Sequence, residues 1–329
     1  MVVTHDEQDF ITLADPYRRE LLAHCYRMMG SVNEAEDLVQ ETYLRAWKAY
    51  DRFEGRSSLR TWLYRIATST CLTSLRSRAL RPLPTSLGAP TDNPAGDLIR
   101  GSEVPWLEPV PDAMVGAAPD DPAGIVTSRE SIRLALIAAL QHLPPRQRVV
   151  LILRDVLKWR AAEVADLLET TTTAVNSILQ RARAQLDQVS PNPDEVVEPN
   201  PAEQRDLLER YVQGFESYDV AAIVGLLRND AVWEMPPFFT WVRGAEQIGR
   251  LISAHCPARG PGDLRLLPTG ANGQPGFGMY LRDEGDGGYR PFGLHVVDTV
   301  GGAVRHVAVF FDSGLFGWFG LPKRLPAAG

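Results

Sequence analysis

Apolar positions recur at helical spacing through most of the first 190 residues, and they alternate in strand fashion only in the last hundred. Ala35, Leu38, Val39, Thr42 and Ala46 mark the buried stripe of one helix. Asn33 is its expected N-cap, and Glu34, Glu36 and Asp37 fall in the first turn, where the helix dipole favours them. The opposite face carries Asp37, Gln40, Glu41 and Leu44 at i, i+3, i+4 and i+7, an acidic and amide row ending in an exposed leucine. After a turn at Phe53–Ser58 comes a second long helix over 59–78, with Leu59, Leu63, Ile66, Ala67 and Thr70 on its packed side. Four more helices are expected at 128–140, 145–156, 160–168 and 172–187, with Ser128 capping the first and Pro145 in the first turn of the second.

Two proline-rich acidic stretches interrupt this pattern. Residues 82–124 have few consecutive apolar positions, a composition that cannot bury enough surface to fold by itself and reads as an extended linker. Residues 190–201 break the chain in the same way. The expected organisation is a helical domain at 10–82, a linker at 83–124, a helical domain at 125–189, a linker at 190–201 and a third domain at 202–329. In the third, helices over 203–217, 221–227 and 245–255 combine with a first strand around 230–237 and further strands at 263–268, 276–283, 291–299 and 303–312. Gly301-Gly302 is a good hairpin turn between the last two. The fold class is therefore multidomain, two all-α domains followed by an α+β domain.

Charge changes the picture more than composition does. The chain of 329 residues has a net charge of −7, which argues on its face against a nucleic-acid partner. Residues 14–85, however, hold 12 basic against 8 acidic side chains, and residues 131–190 hold 8 against 5. Between them, residues 86–130 hold 2 against 8. Two basic modules joined by an acidic spacer suit nucleic acid far better than the sum does. No run of 18 apolar residues is present, so no spanning helix is expected. The acidic, polar N-terminus does not read as a secretory signal. Cys25, Cys71 and Cys256 form no disulfide framework, and a cytoplasmic location follows as the expectation.

The basic modules carry recognisable chemistry. In the helix over 59–78, Arg60, Arg65, Arg76 and Arg78 are interleaved with Trp62 and Tyr64. Cations that neutralise phosphate beside rings that stack on bases suit a separated strand, although Trp62 could equally be core. In the last helix of the second module, Val175, Ile178, Leu179, Ala182 and Leu186 form a core stripe. Thr173, Asn176, Ser177, Gln180 and Arg181 share the opposite side. A helix, a short polar turn at 169–171 and a second helix with such a face make a helix-turn-helix, whose second helix can enter the major groove.

Taken in order, Glu36-Asp37-Leu38-Val39-Gln40-Glu41-Thr42, Tyr50-Asp51-Arg52-Phe53 and Thr61-Trp62-Leu63-Tyr64-Arg65-Ile66-Ala67 resemble region 2 of a bacterial sigma factor of the extracytoplasmic-function type. Leu143-Pro144-Pro145-Arg146-Gln147-Arg148 and Val175–Arg183 resemble its region 4. The resemblance implies that Asp37, Gln40, Glu41 and Leu44 dock on the clamp helices of the largest RNA polymerase subunit. It implies that Phe53, Arg56, Ser57, Arg60, Trp62, Tyr64 and Arg65 open and read the −10 promoter element, the loop holding a flipped base. Thr172, Thr173, Asn176, Ser177, Gln180, Arg181 and Arg183 would read the −35 element. Region 4 would sit near the polymerase flap, and the acidic linker would thread the enzyme's basic cleft. Two positions depart from the family pattern. Glu169 stands where a glycine is common in the turn, and Ile178 stands where a basic residue is common, so no promoter sequence carries over.

Residues 202–329 resemble a SnoaL-like domain, the cone-shaped α+β fold shared with nuclear-transport-factor-2-like proteins, on the segment Asp230–Pro237 and the strand order that follows. That resemblance implies an apolar pocket lined by Trp233, Met235, Phe238, Trp241, Tyr280, His295 and Phe310, able to take a small ligand. His295 and Asp298 are the candidate acid–base pair, but three residues apart on a strand they face opposite sides. No catalytic set, metal site or cofactor is expected. The leading reading is a monomeric initiation factor whose last domain modulates activity in cis. The alternatives are a stand-alone helix-turn-helix regulator and a SnoaL-like enzyme or ligand sensor fused to DNA-binding modules.

Overall fold

In a computed structural model of the chain, described over residues 5–77, 80–115, 130–189 and 200–327, the chain forms two compact units. The first comprises residues 1–81 and 107–191, the second residues 82–106 and 192–329. The stretch read as a linker is thus divided between them, residues 83–106 belonging to the second unit and the described residues 107–115 to the first. Ser128, Arg78 and residues 116–129 and 190–199 lie outside the described residues.

The first unit opens with α1 (His5–Ala14), α2 (Arg18–Met29), α3 (Val32–Ala49) and α4 (Leu59–Ser74). The cap of α3 is Ser31 and not Asn33: Ser31 is extended, and its Oγ accepts from Glu34 N at 3.2 Å. The reason lies one residue upstream. Gly30 ends α2 in the left-handed conformation (φ 70°), which leaves Ser31 as the first residue free to adopt cap geometry. Leu21, Met28, Val39, Leu63 and Ala67 close the core of this bundle. Cys25 and Cys71, remote in sequence, meet there with their sulfurs 3.7 Å apart, both as free thiols.

A short α5 (Asp112–Val115) precedes α6 (Leu134–Gln141), α7 (Pro145–Leu151), α8 (Ala161–Leu167) and α9 (Thr172–Val189). The helix expected over 145–156 is α7 continued by one π-helical turn at Ile152–Val156. Val149 and Ile152 of this helix, Val164 of α8 and Val175, Leu179 and Ala182 of α9 are buried, the last three belonging to the apolar stripe read from the pattern. Glu169, at the turn between α8 and α9, sits in the left-handed region (φ 52°), the conformation a glycine would take without strain. Glu169→Gly is accordingly expected to stabilise this unit by about 0.5–1 kcal/mol, the released strain less the extra unfolded-state entropy of glycine. A denaturant midpoint that fell would count against it.

The second unit contains α10 (Pro201–Glu216), α11 (Val220–Gly225) and α12 (Ala245–His255). Its strands are β1 (Leu227–Glu234), β2 (Trp241–Arg243), β3 (Leu264–Ala271), β4 (Gln274–Arg282), β5 (Tyr289–Val300) and β6 (Ala303–Phe310), with α13 (Leu315–Trp318) following. One sheet of order β2-β1-β6-β5-β4-β3 packs on the helices, all neighbours antiparallel except β1 with β6. This is the cone-shaped α+β arrangement that the resemblance implied. The alternation expected of such strands places Trp233, Phe277, Met279, Val307 and Val309 in the core between sheet and helices. Asn272-Gly273 and Gly301-Gly302, all with positive φ, turn the β3–β4 and β5–β6 hairpins.

The described part of the proline-rich stretch is bonded within both units. Over 82–106 it follows the second unit: Thr91 N donates to Trp241 O at 2.9 Å, and Trp241 Nε1 donates to Gly88 O at 3.0 Å. Over 107–115 it follows the first: Glu108 N donates to Gly30 O at 2.9 Å, and Tyr26 Oη donates to Glu108 O at 2.8 Å. Composition led to the expectation that this stretch builds no core of its own. It did not say that Leu83, Leu107, Val110 and Val115 would be buried on surfaces already folded.

Candidate functional site

On α3 the expected row stands clear of the bundle. Asp37, Gln40 and Leu44 are exposed, Leu44 to 53%, while Glu41 is half-buried and pairs with Arg45 at 2.6 Å. The row continues at Trp47, one further i+3 step, which is 40% exposed. Sequence reasoning missed Trp47, although the same spacing rule that led to Leu44 leads to it. An exposed leucine and tryptophan beside carboxylates form a surface suited to a protein partner.

The loop before α4 is built around rings. Phe53 and Trp62 lie with centroids 4.8 Å apart, and Tyr50 stacks on Phe53 at 6.3 Å, all half-buried. Ser58 caps α4 by accepting from Thr61 N at 3.1 Å. Arg56 and Ser57 stand in the loop, with Arg56 Nε donating to Glu54 at 2.7 Å. Arg60 grips both oxygens of Glu20 at 2.8 Å, and that hydrogen bond to Glu20 holds its guanidinium above its ordinary value. Arg65 pairs with Asp166 of α8. Tyr64 departs from its expected role, since its ring is fully buried between His24 and Trp159 at 5.2 and 5.4 Å. Burial pushes its phenol well above the usual range, and Tyr64 belongs to the packed side of α4.

On α9 the exposed face is as expected: Thr172, Thr173, Asn176, Ser177, Gln180 and Arg181 all point to solvent. Arg183 is exposed too, but a bidentate pair with Asp155 at 2.6 and 2.8 Å engages it. Arg56, Arg60, Arg65 and Arg183, four of the cations assigned to DNA, are therefore each paired with a carboxylate of the same unit.

Two buried arginines tie the two helical modules together. Arg27 of α2 donates to Ser131 O at 3.2 Å and to Ser131 Oγ at 2.8 Å. Arg148 of α7 donates to Met28 O, to Gln141 Oε1 and Gln141 O, each of these two at 2.9 Å, and to Leu143 O at 3.2 Å. Burial pulls both guanidinium groups down to about 10, still charged at neutral pH. Nearby, burial and then the charge of Arg27 lower His24 to about 3.

The second unit encloses a cavity of about 370 Å³. Trp233, Met235, Phe238 and His295 line it, as the sequence placed them. Trp241, Tyr280 and Phe310 do not. Met279, Val309 and Phe311 take their places, because neighbours along a strand face opposite sides. Tyr280, fully buried on the other side of the sheet, donates to Pro322 O at 2.8 Å and meets Phe316 edge-on at 5.2 Å. His295 is fully buried, with Nδ1 2.8 Å from the Tyr211 hydroxyl, and burial lowers it to about 3. Asp298 lies apart from it, paired with Arg305 at 2.5 Å. A polar pair that the sequence did not single out joins β1 to β6: Glu234, 1% exposed, meets His306 at 2.8 Å and accepts from Thr85 N at 3.1 Å. Burial opposes charge on His306, but the hydrogen bond and charge of Glu234 outweigh it and raise its value.

The two depressed histidines make both units acid-sensitive. An unfolded imidazole takes its proton near pH 6.5, whereas His24 and His295 resist it down to about 3. As pH falls below 6.5 the unfolded chain therefore binds the proton first. Stability drops by about 1.4 kcal/mol per histidine per pH unit, levelling off only near pH 3. Urea midpoints at pH 7.5 and pH 5 should differ accordingly, and His24→Gln or His295→Gln should flatten the difference in its own unit.

Comparison with known proteins fits this geometry. The model of sigma-70 region 2 matches residues 13–81, and that of sigma-70 region 4 matches residues 133–186. The extracytoplasmic-function RNA polymerase sigma factor SigG of Mycobacterium tuberculosis is 57% identical over 318 residues, spanning 96% of this chain and 85% of the relative. The chain belongs to the extracytoplasmic-function sigma factors of RNA polymerase. SigJ of the same organism is 30% identical over 255 residues, which cover 74% of this sigma factor and 72% of SigJ. The crystal structure of Mycobacterium tuberculosis SigJ superposes with a TM-score of 0.60 over 95% of this chain and 99% of its own, at 24% identity, so the sigma factor shares that fold. As a sigma factor it binds core RNA polymerase and promoter DNA to start transcription, with α8 and α9 as the helix-turn-helix of region 4. Among the described residues, no helix of this sigma factor is long and apolar enough to cross a membrane.

Proposed function

We propose that the row Asp37, Gln40, Glu41, Leu44 and Trp47 is the surface that docks on the clamp helices of the polymerase largest subunit. The observation that carries this reading is the exposure of Leu44 and Trp47 on an otherwise polar helix face. Region 4 then sits near the flap, with Thr172, Thr173, Asn176, Ser177, Gln180 and Arg181 over the −35 element. Phe53, Trp62, Arg56 and Ser57 read the −10 element, with Arg60 and Arg65 on phosphates. In the free chain those two arginines are occupied by Glu20 and Asp166. Polymerase binding separates the two modules and releases Arg65 for DNA, so the monomer alone binds duplex promoter weakly. The protein works inside the cell, where core polymerase is found.

We further propose that the α+β domain is not an enzyme and modulates initiation in cis. A neutral imidazole and an ion-paired carboxylate on the other side of the strand are poorly placed for acid–base work. Residues 82–106 are packed with this domain, so removing it frees the chain between regions 2 and 4. In vitro transcription with purified core polymerase, comparing the full chain with a 1–200 truncation, tests the reading. Promoter output should change, and identical output would rule out modulation in cis.

A further inference from the structure

Two features of the cavity in the second unit ask for a ligand. The first is an unpartnered polar atom in its lining. His295 is fully buried among Phe215, Trp233 and Met279, and among the described residues its Nε2 has no hydrogen-bond partner. An unpaired buried nitrogen costs about 1–3 kcal/mol. A phenol is a stronger donor than acceptor, so Tyr211 donates to Nδ1, and the single proton of the neutral ring sits on Nε2. His295 thus offers an N–H donor within a largely apolar lining, an arrangement that can orient a small molecule by an acceptor.

The second feature is the mouth. Leu98 and Arg100 line it, and both come from the chain that joins regions 2 and 4. Phe239 N donates to Ile99 O at 2.9 Å, and Gly101 N donates to Pro237 O at 2.7 Å, so the segment lies over the cavity through two main-chain bonds. Trp106 then packs edge-on against Phe239 at 5.5 Å. A side chain at Gly101 would meet the Phe239 ring at 2.8 Å and Trp106 at 2.9 Å, so the close approach requires glycine. The guanidinium of Arg100 is exposed at the rim, 6.0 Å from the centre of the Phe238 ring.

We propose that this cavity binds a small apolar carboxylic acid carrying a carbonyl at its buried end, and that residues 98–101 are its lid. The carbonyl oxygen accepts from His295 Nε2, the hydrocarbon body fills the space between Trp233, Met235 and Met279, and the carboxylate meets Arg100 at the rim. A ligand that touches the lid only in its docked position favours docking by its difference in affinity, and docking tightens the ligand by the same factor. Occupancy is thereby communicated to the chain that spaces the two promoter-reading modules. This rests on modulation in cis only for its effect on transcription. Binding and lid closure are read without polymerase, so either idea can fail alone.

The test uses the full chain and two acids of similar shape, 6-acetyl-2-naphthoic acid and 6-isopropyl-2-naphthoic acid, in calorimetric titrations. The acetyl compound should bind about ten-fold tighter, the worth of one buried hydrogen bond. His295→Leu should erase that preference, and Arg100→Gln should weaken both acids about equally. Saturation with the acetyl compound should slow cleavage after Glu103 by a glutamate-specific protease about five-fold, as the segment opens less often. Equal affinity of the two acids for the wild-type chain, absence of binding, or an unchanged cleavage rate would each overturn the proposal. The wild-type measurements decide it even if a variant fails to fold.

Discussion

Arg148→Met should lower the stability of the first unit by about 3 kcal/mol or more, the largest loss expected from any single substitution considered for it. Arg148 is 4% exposed and satisfies four acceptors, among them the main-chain oxygens of Met28, Gln141 and Leu143. Two of these acceptors sit at helix ends, where carbonyls have no partner within their own helix. Methionine fills a similar volume but donates nothing, so the oxygens stay buried and unpaired. The loss should appear as a lower urea midpoint together with easier separation of the two helical modules. A second readout distinguishes the tie from generic packing. Arg65 and Asp166 lie in the two modules that Arg148 joins, so Arg148→Met should raise affinity for single-stranded −10 DNA in the absence of polymerase even at low urea. A destabilised unit with unchanged DNA affinity would mean that the arginine holds the fold but does not restrain the reading face.

Asp37→Arg with Glu41→Arg should reduce binding to core RNA polymerase about 100-fold or more, because reversing two charges replaces attraction with like-charge repulsion worth several kcal/mol. Asp37 is exposed, and Glu41 engages only Arg45 one turn on, so neither substitution disturbs the bundle core. The circular dichroism spectrum and melting of the variant should match the parent. Intact polymerase binding by the well-folded variant would remove this face as the docking surface. Leu44→Ala and Trp47→Ala should each weaken binding by a smaller factor without affecting salt dependence, since they contribute apolar contact and not charge.

Much of the organisation was legible because it depends on local spacing. A stripe such as Val175, Leu179 and Ala182 must be buried whatever the helix packs against, and the polar face of α9 follows as its complement. The β5–β6 hairpin was legible because Gly301-Gly302 carries its own turn geometry. Asn272-Gly273 carried an equally strong signal and extends β3 and β4 towards each other, though the strands had been bounded more narrowly. The pocket was half legible. Fold resemblance indicated a cavity and His295 within it, but the parity of each strand decided between Met279 and Tyr280, and between Val309 or Phe311 and Phe310. Register depends on pairing with a neighbouring strand, which no single segment encodes.

What the sequence determined alone is the set of modules and their order. Amphipathic period, caps, motif spacing and segment charge are properties of contiguous residues, and the net charge of −7 misleads only when its distribution is ignored. What the tertiary structure decided is where the unpatterned residues go. The proline-rich stretch has no period to read, yet its few apolar side chains and free N–H groups find surfaces on both units, and 98–101 becomes the rim of a cavity. The buried carbonyls that Arg148 serves, and the carboxylates that occupy Arg60 and Arg65, are equally invisible in the sequence. Each pairing joins groups brought together only by folding, and of these the Arg148 set is the one shielded from water.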